Sequence, residues 1–197
     1  MNRNNQLRNL FFSYRYAILT AVVFLTTFGI VDIIIGAIWD TISHALRKPE
    51  NFWTMPHLVV YVGISMIFLS GIIGIVLLKI VQFDKMTKRG IQIVLSGAIV
   101  QIVSSMSDLI SHHIFGNDGL ISLSHQTLEI GIILSAFGAV LIIKSKYNQK
   151  FKKILPVAII NLLISIIWLG FNFMLIAASP IICALYYEFF SIGCIIM

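Results

Sequence analysis

Apolar residues come in long runs in this chain, and the runs have the length of a bilayer. Six stretches stay apolar over about the 20 residues that a helix needs to cross a hydrocarbon core, and short polar links separate them. Within a bilayer every backbone N–H and C=O must find its partner inside the spanning structure, which makes such runs helices. The composition agrees. Hydrophobic residues make up 58% of the 197, charged residues only 11%, and the mean hydropathy is +0.95. A soluble domain carries about a quarter charged residues. The expected fold class is therefore all-α: a polytopic membrane bundle of six transmembrane helices forming one domain.

The boundaries follow from the polar punctuation. Helix 1 is predicted from about Tyr14 to His44, and helix 2 begins at Pro56, since proline suits a first helical turn, and runs to about Leu78. Helix 3 covers about Ile91 to Ile114. Ser124 is a plausible cap for helix 4, which reaches about Ile143. Helix 5 runs from about Ile154 to Ala178, and Pro180 opens helix 6, which ends at Met197. The first apolar run is too long for the hydrophobic region of a cleavable signal, so it is expected to stay as helix 1. Cys183 and Cys194 fall far apart along one helix and cannot pair there.

The basic residues set the orientation. Of the 14 Lys and Arg, all but Arg47 and Lys48 lie in the amino tail or in the second and fourth links. The positive-inside rule then places both termini in the cytoplasm and the first and third links outside. These cations sit at membrane boundaries without interleaved exposed aromatics, so the net charge of +6 is not a nucleic-acid signal. The partner they imply is the bilayer, with the chain integral to the cell membrane.

An internal repeat overlies this frame. Asp40-Thr41-Ile42-Ser43-His44 returns as Asp108-Leu109-Ile110-Ser111-His112, 68 positions later. His57 follows His44 by thirteen residues, and His125 follows His112 by thirteen. The unit Asp-x3-His-x12-His thus occurs twice, and Gly29/Gly97 and Gly63/Gly131 keep the same offset. Repeat 1 covers about residues 14–80, repeat 2 about 88–147, and both hairpins run in the same sense. This is a parallel repeat about an axis along the membrane normal. A third hairpin, about 154–197, lacks the ligands: the shifted motif falls on Ile176, Pro180 and Gly193.

The repeated residues suit a metal ion. Asp40 and His44 share a helix face, and a hairpin returns His57 beside them. One carboxylate and two imidazoles make a three-ligand set that leaves a coordination position open. Asp108, His112 and His125 form the second set. Glu129, one turn beyond His125, is expected to orient that imidazole, as ligating histidines require; Tyr61 holds the equivalent place in the first copy. Asp32 lies deeper on the face of Asp40, and His113 points about 100° away from His112. The competing reading is a polar network at wet helix ends. Against it stands the exact duplication, which uses four of the five histidines, and the cost of ionisable groups in membranes. The ligands alone allow copper or zinc equally.

At these residues the chain resembles the copper-binding C subunit of the membrane-bound methane and ammonia monooxygenases. That family carries Asp-x3-His, a loop, and a histidine opening the next helix, with a second similar set later in the chain. Asp40, His44 and His57 match the first set, and His112 and His125 match the histidines of the second. The segment FWTMPHLVVY, residues 52–61, is similar too. Asp108 departs from the family, which usually has Asn there, and this chain is shorter and poorer in aromatics near the sites. The resemblance implies copper, oxidation of a small substrate with oxygen, and partner subunits or a homo-oligomer in the membrane. The residues by themselves leave two other classes open. One is a zinc-dependent membrane hydrolase with Glu129 or Asp32 as base. The other is a metal transporter or acceptor.

Overall fold

A computed structural model describes residues 3–46, 53–115, 123–145 and 152–190. Among the described residues there are five helices and no strand: α1 Arg3–Ala45, α2 Met55–Ile80, α3 Lys85–Phe115, α4 Leu123–Lys144 and α5 Leu155–Phe190. All five contain a segment long and apolar enough to cross a membrane. The shortest, α4, has 22 residues, or about 33 Å at ~1.5 Å per residue, against a hydrocarbon core of ~30 Å.

Local chemistry sets the helix ends. Thr54 is extended (φ −64°, ψ 153°) ahead of α2, and Pro56 occupies its first turn. Val81, also extended, closes α2 with its N–H on the Leu77 carbonyl at 2.9 Å. Three residues later Asp84 caps α3: the Thr87 N–H donates to Asp84 Oδ1 at 2.7 Å, and the Thr87 hydroxyl reaches Oδ2 at 3.2 Å. Such a carboxylate satisfies a donor that the helix itself cannot pair.

Among the described residues five helices form where six are expected, and the difference lies at Pro180. Pro180 does not open a new helix; α5 passes through it and continues to Phe190. No third hairpin therefore exists among the described residues. The physical reason lies in the link. Ala177, Ala178 and Ser179 include no glycine or asparagine to reverse the chain, and an interior proline removes a hydrogen bond without forbidding the helix. At 36 residues α5 spans about 54 Å.

Burial is arranged for lipid rather than water. Thr26, Thr27, Ser70, Gln101, Ser135, Asn161 and Asn172 are buried, while Phe28, Ile35, Leu69, Val103, Ile160 and Ile167 are exposed. With hydrocarbon outside, apolar burial does not drive helices together; close backbone packing and interhelical hydrogen bonds do. Both appear here. The most extensive pairings are α1 with α2 and α3 with α4. A Cβ added to Gly29 would stand 2.7 Å from the Gly63 carbonyl oxygen, and one added to Gly97 would stand 2.6 Å from that of Gly131. Only glycine permits either crossing. The Ser70 hydroxyl donates to the Val22 carbonyl at 2.9 Å, and the Gln101 amide to Ser135 Oγ at 2.9 Å. α5 packs mainly on α4, with a smaller contact to α1, where Asn161 Nδ2 donates to the Thr27 carbonyl at 3.0 Å.

Candidate functional site

The antiparallel hairpins bring the last turns of α1 and α3 beside the first turns of α2 and α4. A cavity of about 90 Å³ opens there, and α5 forms its remaining wall. Asp40 and His57 line it from the first hairpin, and Asp108 and His125 from the second. Each pair is in contact. His57 Nε2 lies 3.1 Å from Asp40 Oδ1, and His125 Nε2 lies 3.4 Å from Asp108 Oδ1. All four side chains are largely shielded.

Neighbouring residues hold these groups in place. Thr54, in the link before α2, sets its hydroxyl 3.2 Å from His57 Nδ1, which leaves Nε2 to face Asp40. In the second hairpin Ser124 donates to Asp108 Oδ1 at 2.6 Å. Tyr61, one turn beyond His57 with its ring 6.2 Å away, lines the cavity within the electrostatic reach of both Asp40 and Asp108.

The third acid of the cavity behaves differently from its expected role. Glu129 shares the face of His125, but its carboxylate is engaged by α5: Asn172 Nδ2 donates to Glu129 Oε1. His125 Nε2 faces Asp108 instead. An i, i+4 spacing puts the two side chains on one face, and the hydrogen bond Glu129 makes is to α5. Asp32 is half-buried on α1 and is not part of the cavity wall. The side chains of His44, His112 and His113 lie outside the described residues. Among the described residues no group of three or more His, Cys, Asp or Glu side chains converges as a metal site.

The wall supplied by α5 went unread in the sequence. Ser165, Trp168 and Asn172 line the cavity at helical spacing; Ser165 and Asn172 are buried, as is Asn161 one turn earlier, which bonds to α1. Polar residues at i, i+4 and i+11 in an otherwise apolar helix were the available signal. Thr54 and Ser124 carried a weaker one, since each stands within a turn of a motif histidine.

The electrostatics of the cavity decide what it can hold. Among the described residues three carboxylates line it, with two imidazoles and no lysine or arginine. Ionisable groups shielded within membrane helices are costly, and each aspartate here is offset by a histidine beside it. Comparison with protein-family models, with curated proteins and with solved structures finds no match.

Proposed function

We propose that this chain is an integral membrane metal-binding protein whose ion or ions sit at the two Asp–His pairs. The observation that carries this reading is the convergence of both pairs on one cavity that no lysine or arginine among the described residues lines. The donors fit a first-row ion. Two ligands of one tetrahedral ion, each at ~2.0–2.1 Å, lie about 3.3–3.4 Å apart; the observed separations are 3.1 and 3.4 Å. His44 and His112, one turn beyond Asp40 and Asp108, would complete each set. Thr54 would keep His57 in the tautomer that presents Nε2, as such partners do in metal sites.

Among first-row ions copper is favoured by the resemblance, and with it the role of a copper-binding subunit of a membrane monooxygenase, working beside partner subunits. A bound copper ion would supply the chemistry of oxygen activation. The protein's own residues would bind and shield it: the Asp–His pairs as ligands, Tyr61 in the cavity wall, and α5 closing the cavity against water. The matched glycine crossings and matched Asp–His contacts, each at an offset of 68 residues, support descent of the two hairpins from one duplicated unit. The distribution of Lys and Arg supports cytoplasmic termini, which puts the cavity near the outer face.

The test is elemental analysis of detergent-purified protein beside His57→Ala/His125→Ala. Near-stoichiometric copper, lost in the variant, is the expected result. Zinc lost in the same way would keep the metal site and replace the oxygenase role with a hydrolytic one. Metal-free wild-type protein, or metal retained in the variant, would overturn the site.

A further inference from the structure

We propose that Glu129 and Asn172 form a second cation site beside the Asp–His pairs, one that takes a small monovalent ion such as sodium. Both residues line the cavity, from α4 and α5 respectively. Both are deeply buried, Glu129 at 7% and Asn172 at 3% exposure. Asn172 Nδ2 donates to Glu129 Oε1, so the amide nitrogen is already committed. The atoms left over are Glu129 Oε2 and Asn172 Oδ1. Both are fully shielded, and neither has a hydrogen-bond partner among the described residues. The Trp168 indole lies close enough to interact with the carboxylate, but no hydrogen bond of normal geometry reaches Oε2.

Two buried acceptors on bonded side chains, neither with a hydrogen bond of normal geometry, demand an explanation, because nearly all such groups are satisfied. A water molecule would satisfy the hydrogen bonds but place no cation beside an ionised Glu129, which no lysine or arginine among the described residues of the wall neutralises. A cation answers both needs. The donors are oxygen only, which selects a hard ion over the softer ions that imidazole attracts. One carboxylate and one neutral amide balance a single positive charge. The same cavity offers further oxygen lone pairs. Ser104 and Ser165 line it, and each gives its hydrogen to the carbonyl four residues back, Val100 at 2.8 Å and Asn161 at 2.7 Å. Their lone pairs stay available. The site unites α4 with α5, so its ion would tie α5 to the bundle. It stands on residues other than the proposed metal ligands and does not depend on them.

Trp168 provides the readout. In protein reconstituted into nanodiscs, with Trp39→Phe and Trp53→Phe removing the other two indoles, Trp168 emission is followed as sodium chloride replaces choline chloride at constant ionic strength and constant pH. A saturable change in emission is expected, with an apparent affinity roughly tenfold or more weaker in Glu129→Gln. That variant keeps an acceptor for Asn172, and its helical circular dichroism verifies the fold. His57→Ala/His125→Ala should keep the sodium response, which separates this site from the Asp–His pairs. Emission indifferent to sodium, an equal response to choline, or an unchanged curve in Glu129→Gln would overturn the proposal.

Discussion

Gly97→Ala should destabilise the protein, whereas Gly170→Ala should stabilise it. The Cβ added at position 97 would meet the Gly131 carbonyl oxygen at 2.6 Å and the Ser135 backbone nitrogen at 2.8 Å. Ordinary contact begins near 3.4 Å, so α3 and α4 must part by about 0.8 Å at the crossing. The nearest obstructing atom is the Ser135 hydroxyl, which can rotate; the next two are backbone and cannot. Overpacking of this kind costs ~1–3 kcal/mol, at the upper end where nothing yields. Alanine returns about 1 kcal/mol of helix propensity, which leaves a net loss of about 1–2 kcal/mol. The displaced Ser135 also holds the Gln101 amide at 2.9 Å, so the loss includes strain on that bond. At Gly170 an added Cβ meets nothing within 4 Å, and only the propensity gain of ~0.5–1 kcal/mol remains. Reversible unfolding in mixed micelles, followed by circular dichroism, reads both variants against wild type. Equal effects, or a Gly97→Ala protein as stable as wild type, would refute the close α3–α4 crossing and with it the mechanism that brings His125 to Asp108.

Two further outcomes bear on the site and on α5. Thr54→Val removes the hydroxyl beside His57 Nδ1 and should weaken metal binding by about 10–100-fold while the fold is kept; a competition titration against a chelator measures it. Asn172→Leu deletes the donor to Glu129 Oε1 and should cost ~1.5–3 kcal/mol, the usual worth of a hydrogen bond to a charged group. Faster amide exchange along α5 with unchanged exchange in α1 to α4 would locate the loss. A uniform change through the bundle would contradict the view that α5 is held by a few polar contacts.

The membrane class of this protein was legible residue by residue. Hydrocarbon leaves a helix no alternative way to pair its backbone, so uninterrupted apolar runs predict their own structure. Asp40 with His57 and Asp108 with His125 were legible for a related reason. A short hairpin has one way to fold back, so a residue at the end of one helix and a residue in the first turn of the next must meet. Interruptions of the pattern were harder to read. Pro180 carries the same local signal as Pro56, yet Pro56 follows the extended Thr54 and opens α2, while Pro180 lies within α5. Proline is compatible with both outcomes, and the residues before it decide.

Contacts between elements distant in sequence were not legible at all. Spacing placed Glu129 beside His125, but nothing in the chain announced that Asn172, 43 residues later, would take its carboxylate. Helical periodicity determines which residues share a face. It does not say which helix covers that face, because packing in a bilayer depends on small-residue crossings and a few hydrogen bonds rather than on a hydrophobic stripe. The sequence by itself therefore determined a helical membrane protein with two Asp–His motifs on neighbouring hairpins. Only the tertiary structure decided that both motifs open on one cavity, that α5 walls it, and that Glu129 belongs to α5 rather than to His125.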